Sequence, residues 1–212
     1  AGATFLSGQA VVDWSVDGAN VLVQTETDQF SAARLVITAG SWNADLLGRL
    51  GFELRILRKA LHWYRVAADQ YQCSQGAPTF FYDTPDGYFY GFPAIDMRGL
   101  KVAQHTGGEV VTDPLEVDRE LDVAEQAQVA SFLRHFLPAV SSEATDQTVC
   151  LYSMAADEHF IVDRHPEHEQ VVFAAGLSGH GFKFTSVLGS ILADLAIAGE
   201  TSLPIEFLRH DR

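Results

Sequence analysis

Cysteine is almost absent from this chain. Two occur in 212 residues, Cys73 and Cys150, too few for a disulfide framework or a cysteine-built zinc site. With no disulfide set, the expected compartment is a reducing cytoplasm. Positive charge is scarce as well: 14 Lys and Arg stand against 28 Asp and Glu, a formal net charge of −14. A surface this acidic repels nucleic acid and anionic membrane, so neither is expected as a partner. No apolar run approaches the roughly 20 residues a membrane helix needs. The opening residues AGATFLSGQA lack a basic n-region, which argues against a signal peptide. Histidine is better supplied, and His165-Pro-Glu-His168 invites a metal reading. The proline breaks the helical i,i+4 geometry and no cysteine or carboxylate support is evident, so no metal is expected.

What the chain does have is core-forming material. Hydrophobic residues make up 47% of it, enough for one or two domains with a real interior. Residues 9–16 and 19–26 alternate apolar and polar around Asp17-Gly18, a hairpin signal. RLVIT at 34–38 reads as a short buried strand, followed by a turn at Ala39-Gly40 and a helix over 42–50 with Ser41 as N-cap. A long strand is predicted over 53–66, then a loop rich in Gln, Ser, Gly and Pro. Strands follow near 78–82 and 88–92, split by Thr84-Pro85-Asp86-Gly87, and another over 100–105. A helix is predicted over 118–136, ending before Pro138, with strands at 148–154 and 160–162. The class is mixed α and β (α+β), with a mostly antiparallel middle.

The last unit, VVFAAGLSGHGFKFTSVLGSILADLAIAGE over 171–200, carries the most chemistry. A buried strand leads into a turn holding Gly176, Gly179 and Gly181. A helical pattern follows, with Val187, Leu188, Ile191, Leu192, Leu195 and Ala196 at 3.6-type spacing. A strand, a glycine turn and a helix N-terminus present backbone N–H groups to an anionic or electron-rich ligand. Lys183 stands at the opening of that helix, where a cation is unfavourable. This unit is read as a cofactor or carboxylate site.

Three segments, LVITAGSWNADLL, CLYSMAADEHFIVDRHPEHEQVV and AAGLSGHGFKF, resemble the FAD-dependent amine oxidases of the monomeric sarcosine oxidase and N-methyltryptophan oxidase group. The resemblance runs along nearly the whole chain in order. It implies oxidative demethylation of a secondary amino acid, with FAD as the electron acceptor and O2 regenerating it to give H2O2. Family members open with a GxGxxG dinucleotide-binding fingerprint. Here that fingerprint is missing, and Gly176-x-x-Gly179-x-Gly181 has the wrong order. The chain is therefore expected to be a C-terminal fragment that carries no FAD and is inactive alone. Residues 1–50 and 151–212 are expected to be two segments of an incomplete FAD-binding α/β domain, and 51–150 the substrate-binding domain. The exposed remnant would favour self-association.

By the same resemblance, Cys150 is the residue that attaches the flavin 8α carbon. On its residues alone it reads as a buried core thiol. Lys183 corresponds to the lysine that pairs with the substrate carboxylate. Lys101 corresponds to the lysine on the far face of the flavin, where its charge assists O2 reduction. His105, Tyr90 and Tyr152 correspond to substrate-side polar residues. Gly179, His180 and Gly181 belong with Lys183 to the cofactor-side turn; Gly40 and Trp42 match a strand end bordering FAD, and Val11 a position at the adenine side. Two other readings stay open: a flavin-free module binding a small carboxylate or a partner, and a non-covalent relative of the glycine oxidase or dehydrogenase type. Sarcosine, N-methyltryptophan, pipecolate and an opine-like amine all fit as substrate.

Overall fold

The structure, a computed structural model, describes residues 2–67, 69–120 and 122–212. In chain order the strands are β1 (Val11–Asp17), β2 (Asn20–Thr25), β3 (Gln29–Ala32), β4 (Leu35–Ile37), β5 (Leu54–Val66), β6 (Phe80–Thr84), β7 (Gly87–Phe92), β8 (Leu100–Gln104), β9 (Glu109–Val110), β10 (Val140–Ala155), β11 (Ile161–Arg164) and β12 (Val171–Ala175). The α-helices are α1 (Asn43–Leu47), α2 (Val123–Phe136) and α3 (Thr185–Ile197). The chain divides into two compact units, one of Ala1–Arg55 with Ser153–Arg212 and one of Ile56–Tyr152.

In the first unit, β1, β2 and β3 form an antiparallel sheet. The β1–β2 turn is Asp17-Gly18, with Gly18 at φ 59°. A second sheet has the order β11-β12-β4, in which β12 pairs antiparallel with β11 and parallel with β4. Every residue of β12 is buried, as a strand covered on both faces requires. On one face Val172 and Ala174 meet Leu188, Ile191, Leu192 and Leu195 of α3. These helix residues lie at i, i+3, i+4 and i+7, one apolar stripe. The other face buries Val171, Phe173 and Ala175 with Val21, Ile37 and Leu47. Each large side chain so buried contributes about 1.5–3 kcal/mol.

In the second unit the sheet order is β10-β5-β8-β7-β6, with β9 also on β5. One face packs on α2: Tyr64, Phe89, Leu100 and Val102 meet Val129, Phe132 and Leu133. Phe132 stacks on Phe89 at 4.5 Å between ring centroids. The side chain of Asp122 caps α2, accepting from the N–H groups of Ala124 at 2.7 Å and Glu125 at 3.3 Å.

Two local expectations are corrected. Helix α2 starts at Val123 rather than at 118; Leu121 lies outside the described residues. The carbonyls of Asp118 and Glu120 accept from the Arg58 guanidinium at 2.7 Å each, which ties that stretch to β5 instead of to a helical turn. Ser41 is not a helix cap, since α1 starts at Asn43 without a side-chain cap. The amide of Asn43 does the local work: its oxygen accepts from the Ala39 N–H and its nitrogen donates to the Ala174 carbonyl, both at 3.0 Å.

Gly99, just before β8, has φ 99°, and a Cβ there would run into the Tyr64 carbonyl of β5. Substitution Gly99→Ala combines a left-handed backbone with a backbone clash inside a sheet. It is expected to destabilise the second unit by about 3 kcal/mol, measured as a lowered urea midpoint.

Candidate functional site

Strand alternation sorts β5. Arg58 reaches towards α2, where it pairs with Glu125 at 2.6 Å. Leu61 and Trp63 belong to the opposite face, where they cluster with Ala103, Tyr90 and Cys150. Lys101 of β8 stands in register beside Trp63 of β5 and beside Phe92 of β7. Its Nζ lies 5.1 Å from the Trp63 ring centroid and 5.6 Å from that of Phe92. Arg98 also approaches Trp63, at 4.6 Å. The cation of Lys101 is thus held by aromatic neighbours on both adjoining strands.

A polar cluster adjoins it. The Tyr152 hydroxyl donates to the Tyr90 hydroxyl at 3.2 Å, and His105 Nδ1 lies 3.4 Å from the Tyr152 hydroxyl. Backbone pairing fixes His105, whose N–H donates to the Tyr88 carbonyl at 2.6 Å. Burial raises the pKa of both Tyr152 and Tyr90, keeping them neutral donors. Burial also raises the Cys150 thiol, while the charges of Lys101 and Lys59 act the other way. The structure therefore gathers Lys101, His105, Tyr90, Tyr152 and Cys150 on one sheet face.

One residue of this neighbourhood was passed over by the sequence reading. Lys59 is 3% exposed, and burial lowers its pKa to about 8. Its Nζ lies 5.6 Å from the Tyr152 ring centroid. The available signal was Arg58-Lys59 between the apolar pairs Ile56-Leu57 and Ala60-Leu61: alternation sends two adjacent cations to opposite faces, so one of them must enter each side of the sheet.

The first unit holds the remaining candidates. After β12 the chain turns through Gly176 (φ 57°), Ser178 (φ 47°) and Gly179 (φ 76°). Ser178 is a buried non-glycine residue in left-handed backbone, a conformation that persists only when its surroundings impose it. They do so here: its hydroxyl donates to the Gly176 carbonyl at 3.0 Å and its N–H to the Ser153 carbonyl at 2.9 Å. His180 packs against Phe160 at 4.8 Å, and burial lowers its pKa. Gly181 precedes a 3-10 turn, Phe182–Phe184, and α3 follows. Lys183 lies within that turn and donates to the His180 carbonyl at 3.0 Å; among the described residues it joins no ion pair. Gly40 and Trp42 form the 3-10 turn after β4, with Trp42 exposed. Val11 opens β1 in the other sheet of this unit and is exposed. His165 and His168 pack together at 4.7 Å beside the edge of Trp14.

The chain matches the family of FAD dependent oxidoreductases (DAO) over residues 1–195. It is 34% identical over 215 aligned residues to a monomeric sarcosine oxidase of Arthrobacter sp. (strain TE1826), an alignment covering 100% of this chain and 55% of that protein. It is 37% identical over 182 residues to the N-methyl-L-tryptophan oxidase of Escherichia coli O139:H28 (strain E24377A / ETEC), covering 85% of this chain and 48% of that protein. The chain thus spans about half the length of these curated relatives. Among solved structures it is similar to the open form of NikD, described as an unusual amino acid oxidase essential for nikkomycin biosynthesis. That likeness has a TM-score of 0.81 at 24% identity and covers 98% of this chain and 56% of that one; it bears on the fold alone.

Proposed function

The chain belongs to the DAO family of FAD-dependent oxidoreductases, and we propose that it serves the oxidation of a secondary, sarcosine-like amino acid. The net reaction is R–NH–CH3 + O2 + H2O giving R–NH2, formaldehyde and H2O2. Bound FAD would take two electrons from the amine and pass them to O2. The observation that carries this reading is the sheet face of the second unit, where a thiol, a fixed cation and three hydrogen-bonding rings lie together.

That donor set suits the ring end of a flavin. Cys150 supplies a thiol for a thioether link, which needs a thiolate, and two lysine charges favour that form. Lys101, held beside Trp63 and Phe92, offers a preorganised positive charge where negative charge develops on O2. Tyr90, Tyr152 and His105 desolvate and hydrogen-bond the amine, favouring the free base over the ammonium. Lys183 pairs with the substrate carboxylate. We assign Gly179, His180 and Gly181, with Gly40, Trp42 and Val11, to the cofactor side.

The test is direct. FAD-loaded protein carrying this chain is given sarcosine, N-methyl-L-tryptophan, pipecolate and glycine, and H2O2 release is measured. Turnover of an N-methyl amino acid above glycine is expected. Bound flavin that no secondary amine reduces would overturn the proposal.

A further inference from the structure

Strands β8 and β9 both pair with β5, but not in one register. Val102 stands opposite His62, and continuing that register would set Thr106 opposite Arg58. Glu109 stands there instead, so three extra residues are accommodated in the bulge over 105–108. Such a bulge re-aims side chains and leaves backbone groups unpaired. Gly107 and Gly108 allow it, at φ 68° and 113°. A Cβ on Gly108 would press on the Arg58 carbonyl at 2.8 Å.

The bulge carbonyls find their donor in Lys59. Its Nζ donates to the carbonyl of Thr106 at 2.8 Å and of Gly107 at 3.0 Å. Carbonyls away from water need such a partner. An apolar residue would suit a strand position 3% exposed far better than an ammonium does. The same ammonium lies over the ring of Tyr152, and Tyr152 touches His105, the first residue of the bulge. One side chain therefore spans the loop that carries His105 and the tyrosine that His105 meets.

We propose that Lys59 is a positioning residue for the amine end of the substrate: it locks the 105–108 bulge and so holds His105 against Tyr152. This rests on the oxidase reading for its substrate, but not for its geometry. The role assigned to Lys59 is exercised through the bulge carbonyls and the Tyr152 ring.

The test has two arms. In the flavin-free chain, Lys59→Met is expected to move the His105 ring 1H–13C resonances. In the FAD-loaded protein it is expected to raise KM for the amine on the order of tenfold, with kcat changed much less, as for one lost anchoring hydrogen bond. Lys59→Arg keeps the donors and the charge. A cavity of about 340 Å³ adjoins it, lined by Lys59, Thr106 and Gly108 and, from α2, by Glu125 and Gln128; the variant is expected to restore both readouts. If Lys59→Met does not fold, Gly108→Ala carries the test: its Cβ would press on the Arg58 carbonyl at 2.8 Å and on the Lys59 Cδ at 3.0 Å, so it keeps the ammonium but disturbs its seat in the same bulge, and it is expected to give the same two changes. Unmoved His105 resonances, or an unchanged KM beside moved resonances, would overturn the proposal. A wild-type protein that oxidises no amine would remove the oxidase reading while the resonances still decide the positioning.

Discussion

Cys150→Ser in the FAD-loaded protein is expected to release all of the flavin into the supernatant on acid precipitation, while the wild type keeps it in the pellet. The thiol is half-buried against Leu61, Trp63 and Ala103. Burial holds it protonated, and Lys101 and Lys59 supply the opposing field. A serine hydroxyl in the same place ionises far less readily and forms no thioether. The substitution exchanges one sulfur for an oxygen at a half-buried position, so the purified protein should still melt cooperatively. Wild-type flavin appearing in the supernatant would make Cys150 a packing residue only.

The second large effect separates two lysines. Lys183→Met is expected to weaken substrate binding and slow anaerobic flavin reduction, leaving reoxidation by O2 much less changed. Lys101→Met is expected to do the reverse. The reasons lie in their surroundings. Lys183 sits exposed in the turn before α3, on the His180 carbonyl and 5.5 Å from the Phe184 ring centroid, with no carboxylate paired to it among the described residues, so its charge is available to a carboxylate. Lys101 is fixed by two aromatic rings, a placement that suits charge developing on a small diffusing molecule. Lys183 is exposed and Lys101 half-buried in the chain itself, so each contact is desolvated only against bound cofactor and substrate; losing it there costs about 3–5 kcal/mol, and each affected step should slow on the order of 10² to 10⁴. Stopped-flow measurement of both half-reactions decides it, and equal slowing of both steps by both variants would mean structural damage.

Local chemistry made some of this fold legible in the sequence. The hairpin of β1 and β2 was readable because Asp17-Gly18 forces a turn between alternating strands. The VVFAA strand and the stripe on α3 were readable because both are buried by patterns that few alternatives share. Strand β3 was missed because QFSA is exposed throughout and, at four residues, too short for its alternation to stand out. The first half of β10 was missed for the same reason, its early residues being mostly exposed and polar. The start of α2 was misplaced because Arg58, sixty residues upstream of Asp118, claims the carbonyls before it. The site was legible differently. Spacing alone gave the glycine turn before α3, whereas Lys101, His105, Tyr90, Tyr152 and Cys150 were picked out by family resemblance. Lys59 shows what both routes miss: the adjacent cations mark the position, but its partners follow from a register slip between two strands that the local pattern does not contain.

Trp63 has an optical consequence. Its indole is 7% exposed, yet two cations stand close to its ring. Indole emission follows the local field, and any group seated against Lys101 changes that field. The protein thus carries an intrinsic fluorophore at the centre of the candidate face, able to report occupancy without label or turnover.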